Sequence, residues 1–161
     1  MIEMDFGWIE WPTMVLKGKG KYKYKDLPIW IGRAEAEAIV PKKQSVKVPQ
    51  SRAYDLLCRV IAGVGGKVNG VVIDEVRDNP PELGAEYDLI LLGSLMFKLR
   101  DNTVLARLLI AVGEKHIEVD CRPSDGIAVA IRANAPILVN ESVLDESGIL
   151  TRGIPYPPPS L

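Results

Sequence analysis

Apolar residues recur along this chain in two rhythms, and each change of rhythm marks an element boundary. Residues 2–9 and 13–17 carry short apolar runs around the turn-forming Pro12 and predict two strands. Leu27-Pro-Ile-Trp-Ile31 predicts a third, with Pro28 near its start or on an edge. Gly32 breaks that strand. Arg33-Ala-Glu-Ala-Glu-Ala-Ile-Val40 is rich in helix formers and predicts a helix that stops near Pro41. Residues 41–50 hold three lysines and two prolines without apolar periodicity, so they predict a loop. From Ser51 onward, Leu56, Leu57, Val60, Ile61 and Val64 recur at helical spacing, and Gly65-Gly66 closes this second helix.

The second half returns to strands. Residues 68–76, 97–99 and 104–112 read as strands, and in residues 117–121 Ile117, Val119 and Cys121 alternate with Glu118 and Asp120. Asn79-Pro80-Pro81 interrupts the first of these, and an apolar stretch follows around Leu89–Leu92. Arg122-Pro-Ser-Asp125 opens a third helix, with Pro123 suited to the first helical position and Asp125 to the first turn. Ala133-Asn134 ends it, and residues 136–139 predict a last strand. Strands, two helices, strands, helix and strand favour an α+β fold, mixed but mostly antiparallel, with about three helices. We expect a single domain over 1–150 and an extended Pro-rich tail over 151–161.

Composition narrows the chemistry. A chain of 161 residues buries enough surface for one core, and its longest apolar runs are too short to span a bilayer. Glu3 and Asp5 near the start do not resemble a signal peptide, so a cytoplasmic protein is expected. Two cysteines and one histidine exclude a disulfide framework and a site of several histidines around zinc. Glycine patterns for nucleotide phosphates are absent as well. Chemistry must therefore rest on carboxylates, arginines, lysines or hydroxyls. The net charge of −1 is a cancellation: residues 1–16 carry −3, residues 17–59 carry +7 and residues 60–161 carry −5. That asymmetry raises the expectation of an anionic partner, nucleic acid included.

Three motifs carry a resemblance. Residues 27–39, the stretch Asp101-Asn-Thr-Val-Leu-Ala-Arg-Leu108, and Asp120-Cys-Arg-Pro-Ser-Asp-Gly-Ile-Ala-Val-Ala-Ile-Arg132 with Ala135-Pro-Ile-Leu-Val139 resemble signatures of the bifunctional nuclease domain family. The resemblance spans roughly residues 2–145. It implies an α+β domain, self-association and cleavage of DNA and RNA. Two departures stand out. Where that family usually has Thr-His-Asp-Leu, this chain has Ala53-Tyr-Asp-Leu56. A phenol titrates near ~10, so Tyr54 does not replace a histidine base at neutral pH. In addition, residues near 78–99 look like an insertion, since Arg77-Asp-Asn79 recurs as Arg100-Asp-Asn102.

Phosphodiester hydrolysis needs a neutralised phosphate, an activated water and a stabilised leaving oxygen; paired carboxylates holding Mg2+ or Mn2+ supply these in many nucleases. Asp120, Arg122 and Asp125 are the leading catalytic candidates, with Asp120 and Asp125 as metal ligands and Arg122 on phosphate. The alternative for the same residues is helix-terminal stabilisation and ion pairing. Glu35 and Glu37, two apart, lie on different helix faces; Glu37 is expected inward as a second-choice catalytic residue and Glu35 at the helix start. Asp55 is the other second choice, or else stabilises its own helix terminus. Asp101 and Asn102 suit a turn, and His116 suits an exposed hairpin tip.

Lys17, Lys19, Lys21, Lys23 and Lys25, interleaved with Tyr22 and Tyr24, would line one side of an extended segment and track a phosphate backbone, or equally would shield a sheet edge. Arg33 and Arg107 join them as nucleic-acid candidates; Arg107 interrupts an apolar strand and needs a carboxylate partner or an edge. The expected function is a metal-assisted nuclease, against a non-catalytic nucleic-acid-binding or assembly module. Three tryptophans within the first 30 residues and the apolar insertion also favour a homo-oligomer.

Overall fold

The computed structural model describes residues 1–10, 13–32, 35–39, 53–78, 91–92, 95–96 and 102–150. Arg33, the 41–50 loop, Asp101, most of the 78–99 segment and the 151–161 tail lie outside these residues. The chain opens with a three-stranded meander: β1 (Ile2–Glu10), β2 (Thr13–Gly18) and β3 (Lys25–Trp30), with a 3-10 turn at Gly20–Tyr22 between the last two. Helix α1 covers residues 35–39 and α2 covers Ala53–Gly63. Then follow β4 (Gly66–Asp78), the short pair β5 (Leu91–Leu92) and β6 (Leu95–Met96), β7 (Asn102–Val112) and β8 (Lys115–Cys121). Helix α3 (Pro123–Ala133), β9 (Ile137–Val139), α4 (Glu141–Ser147) and β10 (Ile149–Leu150) complete the described chain.

Eight strands form one sheet in the order β10-β3-β2-β1-β9-β4-β7-β8, antiparallel except where β4 runs parallel to β9. This is the expected α+β class. Helix α3 lies against β4 and β7 on one face. Gly126 makes that approach possible: a Cβ there would fall 2.5 Å from Val71 Cγ2 and 3.0 Å from Cys121 Sγ. Around the contact, Val71, Ile73, Ile127, Ala128 and Ala130 are fully buried. Asn134 ends α3 in the left-handed conformation, φ 52°, where its backbone N–H closes on Ala130 and Ile131.

Three expectations change. The apolar stripe of α2 does not face the core: Leu56, Leu57, Val60 and Val64 are exposed. Ile61 of that stripe does face inward, and Tyr54 and Cys58 complete the inward face at helical spacing. Helix α4 was not anticipated, although Asn140 is a good N-cap residue whose side chain accepts from the Ser142 N–H. The lysine series is not one extended segment either, because β2 ends at Gly18 and the turn redirects the chain.

Candidate functional site

The first turn of α3 gathers polar and charged groups from three helices. Arg122 is its N-cap residue, and Asp125 sits in the first turn as expected. The Arg122 guanidinium donates twice to Asp125, Nε to Oδ2 at 2.7 Å and Nη2 to Oδ1 at 3.0 Å. Nη2 also donates to Glu35 Oε1 at 2.7 Å. The Tyr54 hydroxyl, from α2, donates to Asp125 Oδ1 at 2.5 Å. Glu35 is buried at 9% exposure beside Gly32, where a Cβ would fall 2.2 Å from its Oε2. A side chain at position 32 would have to displace that carboxylate.

A second pair braces the first from behind. Arg132, two turns along α3, donates from Nε to Asp55 Oδ1 at 3.0 Å, from Nη1 to the Ala128 carbonyl at 3.0 Å and from Nη2 to the Ala38 carbonyl at 2.8 Å. Its guanidinium also lies 5.4 Å from the centre of the Tyr54 ring. With a side chain only 4% exposed, Arg132 ties α1, α2 and α3 together, and Tyr54 is held from both ends.

Electrostatics follow from these contacts. Burial alone would raise the Asp125 pKa, but the hydrogen bonds from Arg122 and Tyr54, with the Arg122 charge, outweigh it and hold Asp125 below the usual carboxylate range. Tyr54 is pushed well above an ordinary phenol by burial, by its hydrogen bond to Asp125 and by the charges of Asp125 and Glu35. It therefore remains a donor at neutral pH. Hydrogen bonding to Asp125, the charge of Asp125 and hydrogen bonding to Glu35 raise Arg122 further, so it stays cationic. Burial and the Asp125 charge push the Cys121 thiol up, which leaves it a poor nucleophile.

The sequence candidates divide sharply. Asp120 does not meet Asp125. Cys121 points toward α3, as its closeness to Gly126 shows, so strand alternation sends Asp120 to the other face, opposite Arg107 in the β7–β8 register. The inward glutamate is Glu35, whose face continues through Ala38 and Ile39, while Glu37 is exposed. That reverses the expected order of the two. Asp55 does approach the cluster, as the partner of Arg132. Arg107 has the carboxylate partners that its strand position demands: Nε donates to Asp74 at 2.8 Å, and Nη1 to Glu118.

Among the lysines, Lys19 pairs with Glu3 at 2.6 Å and Asp5 at 3.0 Å, and Lys25 pairs with Asp145. Lys21 and Lys23 lie over the rings of Tyr22 and Tyr24, at 4.7 and 4.9 Å, and Lys17 sits opposite Asp26. His116 belongs to β8 itself, opposite Ala111, instead of a hairpin tip. Two contributors were not singled out from sequence, Tyr54 as a donor and Arg132 as a brace. The spacing did hold a signal for Arg132: positions 125 and 132, seven apart, share one helix face.

Whether these residues fit a divalent metal is a question of donors. Arg122 already fills the space between Glu35 and Asp125 with a cation, and both oxygens of Asp125 accept from it. Among the described residues, no group of three or more His, Cys, Asp or Glu side chains is placed to hold a metal ion. The described residues do not fit a resident Mg2+ or Mn2+ at this point. Among the same residues, no helix is long and apolar enough to cross a membrane.

The bifunctional nuclease domain matches residues 14–80 and 91–152, and the chain belongs to that family. It is also 32% identical over 139 residues to the uncharacterized proteins MT1877 and Rv1829, from two strains of Mycobacterium tuberculosis. Each alignment covers 86% of this chain and 68% of the relative.

Proposed function

We propose that the chain hydrolyses phosphodiester bonds in DNA or RNA at the α3 amino terminus, with Arg122 facing the phosphate. The observation that carries this reading is the contrast in exposure. The Arg122 side chain is 67% exposed, whereas Glu35 and Asp125, which hold it, are 11% and 29% exposed. Nε and Nη2 are committed to the carboxylates; Nη1 donates to none of the described residues. A guanidinium fixed on one edge and open on the other suits a phosphoryl oxygen. Glu35 and Asp125 position Arg122, Tyr54 fixes Asp125, and Asp55 with Arg132 keeps the three helices in register. The family match supports the substrate class.

One observation favours a second reading, a nucleic-acid-binding module without turnover. Both carboxylates are engaged by Arg122 and Tyr54 stays protonated, so no group in the cluster stands ready as a base. Purified protein incubated with single- and double-stranded DNA and RNA, in Mg2+, Mn2+ or EDTA, separates the two. Cleavage that disappears in Arg122→Ala and falls in Glu35→Gln supports the hydrolase. Cleavage untouched by either places the site elsewhere. Salt-sensitive binding without cleavage selects the module, and no binding at low salt removes both readings.

A further inference from the structure

The first turn of α3 has donors left over. Pro123, its first residue, has no N–H. The Asp125 and Gly126 N–H groups both donate to the Arg122 carbonyl, at 3.1 Å each. That leaves the N–H of Ser124, which has no partner within the helix and donates to none of the described residues. The Ser124 hydroxyl is in the same state: no described residue bonds to it, although Ser124 is only 5% exposed. Buried donors are nearly always matched, so two unmatched ones on a single buried residue call for an acceptor. Among the described residues, Asp26 Oδ1 is the one side-chain oxygen or nitrogen both sealed from solvent and without a partner. The Ser124 hydroxyl therefore still reaches solvent. The Cα–Cβ bond of a helical residue tilts toward the helix amino terminus, so hydroxyl and N–H project to the same end, beside the N-cap residue Arg122.

We infer that Ser124 binds a non-bridging oxygen of an internal phosphodiester, donating from both its N–H and its hydroxyl, while Arg122 Nη1 donates to the other oxygen. The inference rests on reading the α3 terminus as the site of a nucleic-acid phosphate, and it adds the binding residue and the ionic form of the ligand. Two unmatched donors require a partner that only accepts, and the positive end of α3 favours an anion there. The surroundings limit the charge of that anion. Arg122 carries one positive charge against the two negative charges of Glu35 and Asp125, a formal total of −1, and Arg132 cancels Asp55. Coulomb energy scales with the product of the charges, so this remainder repels a dianionic phosphate monoester twice as strongly as a monoanionic diester. The subsite thereby favours linkages inside a strand over terminal phosphates.

Amide NMR titrations of the labelled full chain, in EDTA at about pH 8 where a phosphate monoester is a dianion, test this. The probes are thymidine 3′-methylphosphate and thymidine 3′-phosphate, which differ by one methyl group and one negative charge. The diester should shift the Ser124 amide more than any other amide of α3. The monoester should bind at least about threefold more weakly. Ser124→Ala should weaken the diester about tenfold, the loss of one hydrogen bond to a charged group. An unmoved Ser124 amide, a diester that does not bind, or a monoester that binds as tightly overturns the inference. So does a folded Ser124→Ala chain with wild-type affinity. Should Ser124→Ala fail to fold, the amide shift and the ratio of the two ligands still decide. A chain that binds longer strands but leaves the Ser124 amide unmoved defeats this inference alone. A chain that binds no nucleic acid at low salt defeats the phosphate reading beneath it.

Discussion

Helices α2 and α3 are both eleven residues long and pack against each other, yet they are built on opposite principles. Helix α3 buries seven residues, four of them Ser124, Gly126, Ala128 and Ala130. Helix α2 carries two leucines, a valine and an isoleucine, and buries only Ile61. The helix richer in large apolar side chains is the more exposed one. Small residues let α3 lie close to β4, and distance of approach, more than apolar content, decides which helix joins the core. Helix α2 packs on α3 through Tyr54, Cys58 and Ile61, and its contribution is to deliver Tyr54 and Asp55 to the charged cluster.

This contrast sets the order of expected effects. Ile127→Ala, at a site with no exposure, should cost about 2–5 kcal/mol of unfolding free energy in urea titrations. Arg132→Met should cost about 1–3 kcal/mol, because it strips a donor from Asp55 and from the Ala38 and Ala128 carbonyls. The same variant should lower any nucleic-acid activity by loosening Tyr54, and an Arg132→Met protein of wild-type stability would break the bracing argument.

Asp125 makes a smaller, pH-dependent contribution. Its folded pKa lies below the ordinary value of 3.8, so its stabilisation is present above that value and disappears as pH falls through the folded pKa. The stability gap between wild type and Asp125→Asn should therefore be open at pH 7 and close below about pH 4. A gap that widens on acidification would show that the ion pair is not its source. The smallest effect belongs to α2: Val60→Ser should shift stability by no more than about 0.5 kcal/mol. If Val60→Ser cost as much as Ile127→Ala, the contrast between the helices would be wrong.

Strands and helices with one unambiguous face were legible in the sequence. The alternation of Ile117, Val119 and Cys121 identified β8, and Pro123 with Asn134 bracketed α3. Helix α4 escaped because seven residues give less than two turns of periodicity, leaving only the Asn140 cap as a clue. In the site, Arg122 with Asp125 was legible because both lie within one turn. Asp120 misled because closeness in sequence hid the alternation that sends neighbouring strand residues to opposite faces. Glu35 and Glu37 were distinguishable only by the neighbours each would meet, Ala38 and Ile39 on one side and solvent on the other. Tyr54 and Arg132 are far from each other in sequence, and the helix packing that brings them together is a tertiary fact.

Strand β9 has a consequence for the order in which the protein is made. Its three residues pair with β1 on one side and β4 on the other, and within the sheet they alone join β10-β3-β2-β1 to β4-β7-β8. During synthesis the meander of β1, β2 and β3 emerges before the other described strands, yet among these its inner edge has no sheet neighbour until Ile137–Val139 has left the ribosome. Strand β1 is thus among the last of the described strands to be paired on both sides. Between the emergence of β7 and that of β9, the described strands form two incomplete sheets awaiting one short stitch.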